Sequence, residues 1–129
     1  MMVCLDSDIA INFLRGDKET ARLINELRKG GKTISITSIN EFELWKGALR
    51  SNKKDSVRIL EMFLGEVDIL LFDSRSSKKS AEIFETLKTK GEMVDVLDVM
   101  IASIAMTNNE LILTNNKKHF SRINGLNLL

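Results

Sequence analysis

Met2–Leu5 is an apolar run that stops abruptly at Asp6, the pattern of a short buried strand. Ile9, Phe13 and Leu14 then fall at helical spacing, and Gly16 stands where that helix should stop. A second helix is predicted over Glu19–Arg28, with Leu23, Ile24 and Leu27 inward and Gly30-Gly31 closing it. The β-branched stretch Thr33–Thr37 reads as the second strand. Helices follow over Ile39–Leu49, where Phe42, Trp45 and Leu49 form the expected inward face, and over Asp55–Leu64, where Val57, Leu60, Phe63 and Leu64 are apolar. Val67–Phe72 is the third strand. Lys78–Lys90, ended by Gly91, and Val96–Met106 are helical, and Glu110–Leu113 is the fourth strand. Beyond Phe120, the tail Leu126–Leu129 is expected to add a short edge strand.

Strands that alternate with helices predict an α/β fold, a three-layer α/β/α sandwich around a mostly parallel sheet. In such sheets ligands bind beyond the carboxyl ends of the strands. The positions that follow strands are Asp6, Ser7 and Asp8; Thr37 and Ser38; Asp73; and Thr114, Asn115 and Asn116. The chain has 129 residues, no proline and no Gly/Ser-rich linker, so residues 1–129 are expected to form one domain.

Charge and composition narrow the chemistry. Nineteen basic and 18 acidic residues give a net charge of +1, so a polyanion would be held by a local patch and not by the whole surface. Cys4 and His119 are each the sole residue of their type, which excludes an intramolecular disulfide, a Cys-based zinc site and His-pair acid–base schemes. With six Phe, one Trp and no Tyr, an extended base-stacking platform is not expected. Val3–Leu5 is too short for the core of a signal peptide, and no apolar run reaches membrane-spanning length; the expected compartment is the cytoplasm.

Acidic residues gather near the strand ends: Asp6 directly after the first strand, Glu43 in the helix after the second, and Asp98 at the start of the Val96–Met106 helix. Asn116 follows the fourth strand. Four oxygen-bearing side chains from four segments suit a hard divalent cation. Glu43, Gly47 and Arg50 share a helix face, where Gly47 leaves open space beside the acid. Asp98 shares a face with Ala102 and Ala105, while Leu97, Ile101 and Ile104 supply the core from the opposite side. Each acid also has a structural reading: Asp6 as an N-cap, Glu43 as a solvated helix residue, Asp98 as a first-turn acid behind the cap Asp95, and Asn115-Asn116 as a turn.

The motifs taken together resemble those of PIN-domain ribonucleases, in particular the VapC-type toxins of prokaryotic toxin–antitoxin pairs. Val3-Cys4-Leu5-Asp6-Ser7-Asp8-Ile9 is similar to the family's hhhLDTNhhh opening, and Leu14-Arg15-Gly16 to its LRG. Glu43-Leu44-Trp45-Lys46-Gly47 resembles ELxxG. Gly91, Val94 and Asp98-Val99-Met100-Ile101-Ala102 resemble GxxIxxxDxxIA. Leu113-Thr114-Asn115-Asn116 with Phe120 resembles LxTxN/DxxxF, and Gly125-Leu126 the terminal GL. The resemblance implies a metal-dependent endoribonuclease in which Asp6, Glu43 and Asp98 hold Mg²⁺ or Mn²⁺. Asn116 takes the place of a fourth acidic or amide residue, and Thr114 fixes its strand end. Asp8 stands where the family usually has Asn, so that it or Asp95 is a candidate supporting ligand. The resemblance further implies an antitoxin with a DNA-binding module that lays a segment over the acids, and a homodimer using the apolar residues of Asp55–Leu64. Arg15, Lys46, Arg50, Lys117 and Lys118 are the basic residues placed to guide RNA.

Two other readings remain open at this level. Asp6-x-Asp8 after an apolar run is similar to the nucleophile motif of haloacid-dehalogenase phosphatases. Asp6, Asp8 and Asp73 could form the acidic pocket of a receiver-like signalling domain. A PIN fold that only binds RNA or a partner is a third.

Overall fold

Alternation along β1 (Met2–Leu5) divides the core in two: Val3 and Leu5 face one side of the sheet and Cys4 the other. The computed structural model describes residues Met1–Leu129 as seven helices about a four-stranded sheet. After β1 come α1 (Ser7–Leu14), α2 (Lys18–Lys29), β2 (Thr33–Thr37), α3 (Ser38–Arg50), α4 (Ser56–Leu64) and β3 (Asp68–Leu70). Then follow α5 (Ser74–Lys90), α6 (Val96–Thr107), β4 (Leu111–Leu113) and α7 (Lys117–Phe120). All pairings are parallel and the spatial order is β3-β2-β1-β4. This is the α/β sandwich with a parallel sheet that the sequence predicts.

Each face of the sheet carries its own helices. Val3, Leu5, Ile34, Ile36 and Leu113 pack with Ile9 and Ala10 of α1, Ile24 of α2, Leu44 of α3, and Leu60 and Phe63 of α4. Cys4 and Ile112 pack with Ile83 and Leu87 of α5, Val99, Ile101, Ala102 and Ala105 of α6, and the fully buried Phe120 of α7. Strand order fixes where a site can form. The chain steps from β1 to β2 to β3 in one direction, then returns to place β4 on the other side of β1. The ends of β1 and β4 therefore flank a topological switch point, where adjacent crossovers leave a crevice.

Several boundaries and faces differ from the sequence prediction. On α3 the buried residues are Asn40 and Leu44, while Phe42 is 56% and Leu49 72% exposed and Trp45 is half-buried. The inward stripe runs through a polar residue, which hydrophobic periodicity cannot register. α5 begins four residues before the predicted Lys78, because Asp73 and Ser76 form a capping box. Its buried face continues through Ser76 and Ser80, and the Ser80 hydroxyl is satisfied by the Ser76 carbonyl at 2.8 Å. Ala102 and Ala105, on the Asp98 face of α6, are themselves core residues, fully buried where α5 packs on α6. β3 is shorter than Val67–Phe72. The tail forms a single parallel bridge, Ile112 with Leu128, in place of a strand, and Lys117-Lys118 opens the short helix α7.

Candidate active site

Asp6 leaves β1 with its backbone N–H still bonded to the Leu113 carbonyl at 2.9 Å, so its position is set by the sheet. It is the N-cap of α1, and its carboxylate accepts from the Ser7 N–H at 2.8 Å. The other oxygen accepts from the Thr114 hydroxyl at 2.7 Å. Capping and a place at the switch point are therefore the same structural fact. Burial raises the Asp6 pKa above the usual carboxylate value; the Thr114 and Ser7 bonds oppose that shift, and the charges of Asp8 and Glu43 add to it.

Glu43 is positioned by a buried relay. Ser7 donates its hydroxyl proton to Glu43 Oε1 at 2.6 Å and accepts from Asn40 Nδ2 at 2.9 Å. Asn40 Oδ1 accepts from the backbone N–H and the hydroxyl of Thr37, at 2.9 and 2.7 Å. Asn40 and Thr37 are fully buried. The sequence reading missed Asn40, although Thr37-x-x-Asn40 has capping-box spacing, a signal that was there to be read. It also gave Ser7 no role beyond its place after the first strand.

Asp8 ties α1 to the end of β4, since its carboxylate accepts from the Asn115 N–H at 3.1 Å. Asn116 N–H donates to Thr114 Oγ1 at 2.9 Å, and Asn116 Nδ2 lies 3.1 Å from His119 Nδ1. The sole histidine is thus an immediate neighbour of a candidate residue. Asp95 caps α6 by accepting from the Leu97 N–H at 2.9 Å. Asp98, in the first turn of α6, is half-buried, and its pKa is pushed up to about 6. Burial is the largest cause, followed by the negative charges of Asp6, Asp95, Glu43 and Asp8.

Five acids from three segments therefore share one electrostatic neighbourhood, and none of them forms an ion pair. The two ion pairs of the chain, Arg58–Asp55 and Arg75–Asp73, lie elsewhere. Asp73 caps α5 at the opposite edge of the sheet, two strands from β1, so it is not part of this group. The donor set suits a divalent cation in kind, being oxygen-only and negatively charged without compensation. No three of these acids converge tightly enough to chelate one ion outright. Hydrogen bonds hold the Asp6 and Glu43 oxygens, which fits an ion bound partly through water.

Beside Glu43 a cleft of about 450 Å³ opens between α1, α3 and α4, lined among others by Arg15, Leu44, Gly47, Lys53 and Lys54. Nothing stands within 4 Å of the place a Gly47 side chain would fill, as the sequence reading anticipated. Arg50 is exposed on α3 but does not line the cleft. Lys46 is exposed on α3 with its ammonium 5.4 Å from the Phe42 ring centre. Lys117 and Lys118 project from α7 immediately after Asn116.

Comparison with known proteins identifies the family and the fold. The PIN domain family profile matches residues 3–126. The chain is 32% identical to ribonuclease VapC2 of Rickettsia felis over 98% of its own length and 95% of that protein. It is 30% identical to the tRNA(fMet)-specific endonuclease VapC of Shigella flexneri, over 95% of its length and 92% of that protein. Among solved structures, VapBC2 of Rickettsia felis bound to a fragment of its promoter DNA superposes with a TM-score of 0.92 at 30% identity, covering 100% of this chain and 98% of that one. VapBC-1 of nontypeable Haemophilus influenzae superposes with a TM-score of 0.89 at 26% identity, covering 100% and 97%.

Proposed function

The chain belongs to the PIN-domain family, among its VapC ribonucleases, and from that premise we infer that it is an endoribonuclease, the toxin of a toxin–antitoxin pair. The observation that carries the catalytic reading is Asp98, half-buried among four other acids with no cation beside it. Asp6, Glu43 and Asp98 would hold Mg²⁺ or Mn²⁺, with Asp8 and Asp95 adding charge. When bound, such an ion lowers the pKa of a coordinated water and offsets charge on the phosphoryl oxygens. Thr114 and the Ser7 N–H fix both oxygens of Asp6. The Ser7 hydroxyl fixes Glu43, and Asn116, braced by Thr114 and His119, closes the β4 side. Arg15, Lys46, Arg50, Lys117 and Lys118 would attract the phosphodiester chain that the acids by themselves repel.

The partner in this reading is an antitoxin with a DNA-binding module, which lays a segment over the acids. The open cleft beside Glu43, lined by apolar residues such as Ile11, Leu14 and Ile59 together with Arg15, Lys53 and Lys54, supports that placement. No helix is long and apolar enough to cross a membrane; in the ribonuclease reading the site of action is the cytoplasm, where RNA is met.

The test is cleavage of a mixed RNA pool by antitoxin-free protein with Mg²⁺, with Mn²⁺ and with EDTA, beside Asp6→Asn. Cutting that needs added metal and is lost in a folded Asp6→Asn variant is expected. Cutting that survives EDTA would exclude the metal reading, and an active Asp6→Asn variant would exclude the site. The chain is also expected to pair with a second copy. On α4, Leu60 and Phe63 are core, while Ile59 and Met62 are exposed at 43% and 63% and stand one turn apart. Met62→Glu should therefore convert a dimer to a monomer in sedimentation analysis; an unchanged dimer would move the interface off α4.

A further inference from the structure

We propose that a second, basic cleft, between α5 and the segment Arg122–Asn124, docks the phosphate backbone of RNA flanking the cut; this rests on the ribonuclease reading. The cleft measures about 250 Å³, and Lys79 and Lys90 of α5 line it together with Arg122. Its one acidic lining residue is Glu82, and none of the three cations is in an ion pair. Arg122 is held in place: its Nη1 donates to the Met93 carbonyl at 2.8 Å, and the guanidinium keeps its other N–H donors. Asn124 adds a neutral amide donor, while the Thr86 hydroxyl is spent on the Glu82 carbonyl at 3.0 Å. The apolar lining residues Ile83, Leu87 and Ile123 are core residues, exposed by 8% or less. A protein partner would find no apolar anchor there, whereas phosphate oxygens would find fixed donors.

Position along the chain links this cleft to the acids. Asn116 is followed by Lys117 and Lys118 on α7, and Arg122 comes two residues after α7 ends. Along the chain, cations thus follow Asn116 as far as the Arg122 that lines the cleft. A polyanion brought to five uncompensated carboxylates needs positive charge set apart from them, where it does not quench their charge.

The experiment first establishes which RNA the wild-type chain cuts. It then measures binding of that RNA, fluorescently labelled, to the non-cutting Asp6→Asn protein across a salt series. Adding Lys79→Glu and Lys90→Glu to that background should weaken binding about tenfold at low salt and flatten the salt dependence by one to two phosphate contacts. Arg122→Gln should weaken it severalfold. Arg28→Glu with Lys29→Glu, at the far end of α2, should leave it unchanged. Thermal melts verify folding, and Lys79→Gln with Lys90→Gln gives the same reading should the charge-reversed protein misfold. In the otherwise native enzyme, RNA fragments trimmed to the cut site should be cut at the wild-type rate by the lysine variants. Unaltered affinity and salt slope would overturn the proposal while leaving the ribonuclease reading intact. So would variants that keep RNA but lose an acidic protein partner. A wild-type chain that cuts no RNA would overturn both.

Discussion

Asp98→Asn is expected to stabilise the metal-free protein while lowering cleavage by about a hundred- to a thousandfold. The two effects have one origin. Burial and four neighbouring acids disfavour the ionised Asp98 carboxylate, raising its pKa from 3.8 to about 6. For an acid raised on folding, no penalty exists below the unfolded-state pKa, where both states are protonated. The penalty grows as the pH rises from about 4 and is complete above about 6. Taken at face value the shift is about 3 kcal/mol, and discounting for solvent at a half-buried group leaves about 1–2 kcal/mol. In EDTA at pH 7.5, the asparagine variant should therefore melt several degrees above the wild type, with the gap closing towards pH 4. Adding Mg²⁺ should narrow the gap at pH 7.5 by stabilising the wild type preferentially. A variant that melts no higher than the wild type in EDTA would show that Asp98 is not under electrostatic strain.

Asn40→Ala is expected to cost about 2–4 kcal/mol of stability and most of the activity. The substitution strips the buried Thr37 N–H and hydroxyl of their acceptor and removes the amide that holds Ser7. Orphaned buried donors cost about 1–3 kcal/mol each before relaxation, and the α3 capping box is lost with them. For a chain of this size that is a fall in melting temperature of about 10 °C. Ser7→Ala separates the two roles. It releases Glu43 but leaves the Thr37–Asn40 bonds in place, so activity should drop with a stability loss of only about 1 kcal/mol. Equal melting of Asn40→Ala and the wild type, measured by calorimetry, would remove Asn40 from the framework of the site.

Much of this molecule is legible locally. The junction of Leu5 with Asp6, the β-branched Thr33–Thr37, and the stop at Gly91 (φ +71°) are each set by neighbours a few residues away. Where inward positions are polar, that reading fails. Ser76 and Ser80 extend the buried face of α5, and Asn40 anchors α3, because each side chain satisfies its hydrogen bonds on nearby backbone or side-chain groups. Apolar periodicity has no signal for a polar residue made tolerable by its partners.

By itself the sequence determined the order of strands and helices, the acids at their junctions and the family to which those motifs are similar. All of these depend on short-range spacing and residue type. Tertiary structure decided which acids meet and what holds them. Thr114 reaches Asp6 across 108 residues only because β4 lies beside β1 in register. Asn40 reaches Ser7 across 33 because α3 begins at the end of the neighbouring β2. The raised pKa of Asp98 arises likewise from burial and from charges that three separate segments bring together. Register and burial are properties of the assembled sheet, and no stretch of the chain encodes them alone.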